Sequence, residues 1–118
     1  MDVVVEVGGW EHDCCGPAIE RDEVVDLGCL RRPAPDGRVR LVMTRHHQEP
    51  DERVRGRVTE VEVLLDGGTT QPVLRVPSGR ALRGFDEDDG HLEDPWTGDV
   101  VTSGSGEFLV TVRTPSAW

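Results

Sequence analysis

The residue types best suited to chemistry lie in two short polar segments. Residues 10–17 read Trp-Glu-His-Asp-Cys-Cys-Gly-Pro and place the adjacent pair Cys14 and Cys15 just before a glycine–proline turn. Residues 45–53 form a polar, proline-containing stretch, expected to be a loop, that holds the neighbouring pair His46 and His47. Because zinc prefers sulfur and nitrogen ligands, these four side chains are candidate metal ligands, and zinc is the candidate cofactor.

The double cysteine allows several interpretations. In an extended segment Cys14 and Cys15 would point to opposite faces, so a zinc site needs a turn there or takes one of them together with His12. A thiol enzyme, with Cys15 activated by His46 or His47, is a further hypothesis, although no third catalytic group can be named. We therefore predict no catalytic residues. In the purely structural alternative, one cysteine of the pair packs as a small apolar residue.

Basic residues are concentrated in the middle of an otherwise acidic chain. The sequence has 23 acidic residues against 13 basic ones and a formal charge of -10, which disfavours generic nucleic-acid binding. Residues 31–57 nevertheless hold eight Arg and four acidic residues, a net of +4 (8 - 4). This segment predicts a basic surface for a partner protein, unless its arginines pair with the chain's own acids. The arginines of this surface are Arg38, Arg40, Arg53, Arg55 and Arg57.

Two tryptophans, Trp96 and Trp118, stand outside any clear strand pattern. Each either folds back to cover an open end of the fold or stays exposed as an anchor for a partner. Together with the basic surface they favour a non-catalytic protein-interaction or regulatory module. A zinc-binding protein is the alternative function.

Alternating apolar residues predict an all-β fold. Six short strands, with glycine or proline turns about every ten residues, favour one small β-barrel over residues 1–118, because a closed barrel leaves no strand edges. Its topology is expected to be SH3-like or OB-like. Residues 66–68 predict a hairpin turn to a strand at residues 73–76, and residues 86–106 a long, mobile, acidic loop. The alternating positions are Val3, Val5 and Val7; Val25, Leu27 and Cys29; Val39, Leu41 and Met43; Val61, Val63 and Leu65; and Phe108, Val110 and Val112.

Cysteine usage and the amino terminus bear on location. Three cysteines are an odd number and too few for the disulfide framework of a small secreted domain. The first residues include acids where a signal peptide needs positive charge, and no apolar run is long enough to span a bilayer. We expect a cytoplasmic protein without membrane contact, with reduced thiols and with Cys29 in the core.

The chain resembles a family of small uncharacterised bacterial proteins, a domain of unknown function that carries a Trp-x-x-x-Cys-Cys-Gly motif near its amino terminus. Here the motif is formed by Trp10, Cys14, Cys15 and Gly16. Later parts of the family pattern correspond to residues 22–27, 46–47, 56–58 and 106–110. The resemblance implies a β-rich intracellular fold and draws attention to the double cysteine and the paired histidines, without implying a reaction.

Overall fold

The computed structural model describes residues 1–8, 12, 16–44, 49–82, 84, 87–102 and 104–115, with the backbone alone at residue 105. Strands dominate this part of the chain, which confirms the all-β prediction. A helix of four residues is present, and across these ranges no helix is long and apolar enough to cross a membrane. The elements are β1 (Asp2–Gly8), β2 (Ile19–Glu20), β3 (Val24–Pro33), β4 (Val39–Met43), β5 (Glu52–Leu65), β6 (Thr70–Pro72), β7 (Arg75–Val76), α1 (Gly79–Leu82), β8 (Leu92–Glu93), β9 (Val100–Val101) and β10 (Gly104–Arg113).

The five longest strands are joined into a ring of backbone hydrogen bonds. The sheet has the order β10-β1-β4-β3-β5-β6, and β5 also pairs with β10. Strand β1 is antiparallel to β10 along its whole length and parallel to β4, whereas the other pairs of the ring are antiparallel. Each of these five strands therefore has a neighbour on both sides, which leaves few free edges among them.

Strand β5 closes the ring because its two halves pair with different strands. Residues 52–57 pair with β3 and residues 57–65 pair with β10. Gly56 lies where the two pairings meet, and a Cβ atom there would come within 2.1 Å of the Arg113 carbonyl oxygen. The backbones can approach this closely because glycine has no side chain.

The predicted alternation is confirmed on four of the strands. The core includes Val5 and Val7 of β1 and the Phe108, Val110 and Val112 face of β10, each at most 1% exposed. The inward faces of β3 and β5 are buried in the same core, with the Cys29 thiol fully enclosed. On β4 burial decreases along the strand, from Met43 in the core to Val39 at the surface. Val39 is 60% exposed at the start of β4, just after the turn at residues 34–37.

Two predicted boundaries are wrong. The turn after β5 closes early, because the Leu65 amide donates to the Thr69 carbonyl, and the returning strand is β6 rather than residues 73–76. Of that stretch, only residues 75–76 form a strand, and they pair with β2. The loop expected through residue 53 ends earlier, because β5 already pairs at Glu52 with Cys29 of β3.

The acidic stretch at residues 86–106 contains more structure than a plain loop. Strands β8 and β9 pair antiparallel, with Leu92 opposite Val101, and β10 begins at Gly104. Leu74 donates its amide hydrogen to the Glu93 carbonyl, which attaches this small hairpin to the chain before β7. Strands of two residues are too short to leave a periodic signal in the sequence.

Candidate functional site

The four side chains of the predicted zinc site lie outside the described residues. Cys14, Cys15, His46 and His47 are therefore not placed relative to one another, and the shared site stays a prediction. The structure does describe His12, within the same motif, together with Gly16 and the residues that follow it.

His12 is a fully buried imidazole with one bonded nitrogen. Its side chain is 0% exposed, and Nε2 lies 2.7 Å from the Pro77 carbonyl oxygen. A carbonyl can only accept a hydrogen bond, so Nε2 must carry the proton. The Nδ1 atom is buried and has no hydrogen-bond partner among the described residues. An unsatisfied buried polar atom costs about 1–3 kcal/mol, so this nitrogen requires an explanation.

Gly16 packs directly on the His12 ring. A Cβ atom at residue 16 would lie 2.1 Å from Nδ1, 2.7 Å from Cε1 and 2.8 Å from Cγ. The Gly16 amide donates to the His12 carbonyl at 2.9 Å, and the Gly16 carbonyl accepts from the Gly79 amide at 2.9 Å. His12 and Gly16, the described residues on either side of the double cysteine, are thus both bonded to the segment from Pro77 to Gly79. The motif drew attention to this part of the sequence, but nothing local to it indicated the contact with Pro77.

The arginines of β5 lie on its outward face and pair with an acid of β3. Arg53 and Arg55 both donate to the Asp26 carboxylate, at 2.9 and 3.1 Å. The Arg53 hydrogen bond is the main cause that lowers the pKa of Asp26, so this carboxylate stays charged opposite the two guanidinium groups. One negative charge is thereby shared between two positive ones.

The remaining arginines of the predicted surface differ in the hydrogen bonds and ion pairs that their side chains form. Arg40 forms a two-bond ion pair with Glu6 on β1, both contacts at 2.6 Å. Arg57 donates to the backbone carbonyl of Asp22 at 2.6 Å. Arg38 has a side chain that is 88% exposed, with Asp36 at 3.7 Å. Most of this basic surface is therefore bonded to the chain's own oxygens, as the alternative interpretation expects.

Trp96 lies at the surface, whereas Trp118 lies outside the described residues. The Trp96 side chain is 70% exposed and belongs to the turn between β8 and β9. The guanidinium carbon of Arg21 lies 5.9 Å from the centre of the indole ring, within the range of a cation–π contact. Of the two arrangements considered for this residue, the structure has the exposed one.

A second titratable cluster lies on the acidic stretch before β8. Asp88, Asp89 and His91 place one ligand atom each within 4.8 Å of one another. Asp88 forms two hydrogen bonds with Arg75, and these bonds are the main cause that holds the pKa of its carboxyl well below the usual range. The His91 ring bridges Asp89 and Glu93, and both contacts raise its pKa. These acids already have cationic partners, so the cluster is an ion-pair network that the sequence interpretation missed.

Two surface depressions adjoin residues discussed above. The smaller, of about 240 Å³, is below the usual size of a small-molecule site. It is lined by Asp26, Leu27, Gly28, Met43, Thr44, Pro50 and Arg53. The larger, of about 640 Å³, lies between Met1 and the end of β10. Among their described lining residues, neither depression has a cysteine or histidine side chain.

Comparisons with known proteins add no relative. No protein-family model matches the chain, and no curated protein or solved structure matches it either. The resemblance to the family with the Trp-x-x-x-Cys-Cys-Gly motif therefore stays a prediction. Function has to be inferred from the chemistry of the described residues.

Proposed function

We propose that this chain is a non-catalytic protein-interaction module that presents Trp96 to a basic segment of another protein. The observation that carries the proposal is a tryptophan that is 70% exposed in a turn held by its own hydrogen bonds. Tryptophan is enriched among the residues that contribute most to protein–protein binding. The zinc-binding protein remains the alternative function.

The turn that carries Trp96 is fixed before any partner arrives. Asp94 accepts hydrogen bonds from the backbone amides of Trp96 and Thr97, at 2.9 and 3.1 Å. These two bonds are the main causes that lower the pKa of Asp94. The same carboxylate accepts from the Gln71 side chain of β6 at 2.8 Å. A preordered turn supports tight binding, because little loop entropy is lost when the partner docks.

The charge near Trp96 favours a cationic partner. Residues 86–99 contain seven acids and no Arg or Lys, and the whole chain has a formal charge of -10. The Arg21 contact supports the view that the exposed indole engages a guanidinium group. An arginine or lysine of the partner would add a second cation to the ring or replace Arg21. This charge complementarity would also speed association at low ionic strength.

The basic surface is the less favoured binding site. Arg53 and Arg55 are engaged by Asp26, and Arg40 by Glu6. A partner would have to compete with these ion pairs, whereas Trp96 is 70% exposed even with the Arg21 contact over its ring. Arg38, Arg57 and Trp118 remain in the proposal as secondary contacts.

The scaffold and its location belong to the same proposal. The ring of strand pairings supports a small barrel over residues 1–118, of SH3-like or OB-like topology, which would hold the Trp96 turn rigidly. We place the module in the cytoplasm, with its cysteines reduced, because the cysteine count argues against a secreted disulfide framework.

The test begins by trapping the partner from source cells. A photo-crosslinking residue replaces Val100, which is 61% exposed at the start of β9, just after the Trp96 turn. The trapped protein is then purified, and its dissociation constant is measured with the full chain by calorimetry. We expect Trp96→Ala to weaken binding by about 30-fold or more, as for a hot-spot residue. We also expect added salt to weaken binding, because the partner is cationic.

Two variants make the result decisive. Val4→Ala truncates another exposed apolar side chain, 50% exposed on β1, and should leave the dissociation constant unchanged. Charge reversal of Arg53 and Arg55 tests the basic surface. If that reversal weakens binding while Trp96→Ala does not, the partner uses the arginines and the proposed site is wrong.

A further inference from the structure

The larger of the two surface depressions is positively charged, although the protein is acidic. Its volume of about 640 Å³ is within the usual range of about 300–1,000 Å³ for small-molecule sites. Its described lining residues include two arginines, Arg57 and Arg113, and no acid, whereas the whole chain has a formal charge of -10. Positive charge in a depression of this size favours an anionic ligand.

The two arginines occupy directly opposite positions on neighbouring strands. Arg57 of β5 pairs in register with Arg113 of β10, and the adjacent pair, Val58 and Val112, is buried. Directly opposite residues of an antiparallel pair share one face of the sheet, with Cβ atoms about 4.5–5.5 Å apart, so both arginine side chains lie on the outer face. Like charges in this arrangement are destabilising. An anion that bridges the two guanidinium groups would turn the repulsion into attraction.

Internal contacts compensate only part of this positive charge. Arg113 donates from Nε to the Asp2 carboxylate at 3.1 Å, and its side chain is still 66% exposed. Arg57 donates to the backbone carbonyl of Asp22 at 2.6 Å, and across the described ranges no carboxylate lies within ion-pair distance of it. Two positive charges are therefore balanced by one negative charge, and the Arg57 guanidinium is available to an anion.

Apolar side chains border the arginines. Val24, which pairs with Arg57 across β3 and β5, is 68% exposed, and Met1 is 73% exposed. Pro115 lines the same depression just after β10. The wall that includes Met1 is held by a backbone hydrogen bond, because the Thr114 amide donates to the Met1 carbonyl at 2.9 Å. Exposed apolar carbon beside two guanidinium groups suits a ligand with an apolar body and an anionic head.

We propose that this depression binds a small carboxylate with an apolar body, such as a medium-chain fatty acid. One carboxylate oxygen accepts a hydrogen bond from Arg57 and the other from Arg113, because guanidinium groups match the geometry of a carboxylate. The hydrocarbon part packs on Val24 and Met1. Trp96 is not among the described lining residues, so this site is independent of the proposed protein-interaction function.

The test titrates the wild-type full chain with octanoate and follows the backbone amides by NMR. We expect saturable binding at one site, with a dissociation constant below about 1 mM and the largest shifts at residues 56–57 and 113–114. Acetate has the anionic head alone and octanol the apolar body alone, so each should bind at least about 10-fold more weakly. No saturation by octanoate, equal binding of octanol, or the largest shifts elsewhere overturns the proposal.

Paired variants assign the two ends of the ligand. Arg57→Gln should weaken octanoate binding by about 10-fold. Arg55→Gln removes the same charge from the same face of β5 outside the depression, and it should change binding by less than about 2-fold. Val24→Ser should weaken binding by about 3-fold, whereas Val39→Ser, at a valine that is 60% exposed on β4, should not. Equal effects of a variant and its control would contradict the site.

Discussion

Replacement of Gly16 by alanine is the sharpest test of the contact between Gly16 and the His12 ring. The backbone of Gly16 is outside the left-handed region, so alanine fits it, and removal of a glycine would by itself stabilise the chain by about 0.4–1 kcal/mol. The steric effect opposes this gain. The new Cβ atom would lie 2.1 Å from the buried His12 Nδ1, whereas non-bonded heavy atoms pack at about 3.5–4.0 Å. The ring must therefore move.

The size of the effect follows from what the ring loses when it moves. Overpacking a tight site costs about 1–3 kcal/mol. A weakened Nε2–Pro77 hydrogen bond leaves two buried polar groups poorly paired, at a further cost of about 1–3 kcal/mol. After the glycine effect is subtracted, we expect Gly16→Ala to lower the free energy of unfolding by about 3 kcal/mol. For a domain of this size that is a fall of roughly 10 °C in Tm.

Urea unfolding followed by circular dichroism measures this change, and a double-mutant cycle with His12→Ala isolates its cause. Without the imidazole, the alanine at residue 16 has space, so the same replacement should cost less than about 0.5 kcal/mol. The coupling between the two sites should therefore exceed about 2 kcal/mol. An equal cost in both backgrounds would refute the packing of Gly16 on the His12 ring.

Two further predictions follow from the charge and backbone geometry. His91 should titrate above its ordinary pKa of 6.5, because Glu93 and Asp89 stabilise the imidazolium. The stabilisation of the fold by these ion pairs is therefore complete below pH 6.5 and is lost as the pH rises through the raised pKa. Ring NMR titration checks this, with Glu93→Gln lowering the pKa, and a wild-type value at or below 6.5 would contradict it. Gly56→Ala should cost more than about 2 kcal/mol in urea unfolding, because its Cβ atom would meet the Arg113 carbonyl oxygen at 2.1 Å. A cost below about 1 kcal/mol would contradict the close approach at Gly56.

Strand faces could be predicted from the sequence because they follow a local rule. Side chains alternate between the two faces of a strand. The inward valines of β1 and the Phe108 face of β10 could therefore be predicted as core without knowing which strands lie next to them. The burial of Cys29 follows from the same rule on β3. Strands of two or three residues are too short to show this alternation, so β6 and the β8–β9 hairpin were not predicted with their correct bounds.

Strand neighbours could not be predicted in the same way. The parallel pairing of β1 with β4 and the division of β5 between β3 and β10 join residues far apart in the chain. Their register depends on the closure of the whole ring, and no local pattern encodes it. Similarly, the net charge of residues 31–57 predicted a basic surface, but only the folded strands bring Asp26 beside Arg53 and Arg55.

The candidate site shows the same division between local and distant information. The sequence alone determined that a Cys-Cys-Gly motif follows a histidine closely and that the chain around it is acidic. Tertiary structure decided that His12 is buried beside Pro77, which lies 65 residues further along the chain. It also decided that Nε2 bonds to the Pro77 carbonyl, whereas Nδ1 has no hydrogen-bond partner among the described residues. The reason is physical: residue types and spacing set which ligands are available, whereas burial and tautomer are set by atoms that folding brings in from elsewhere in the chain.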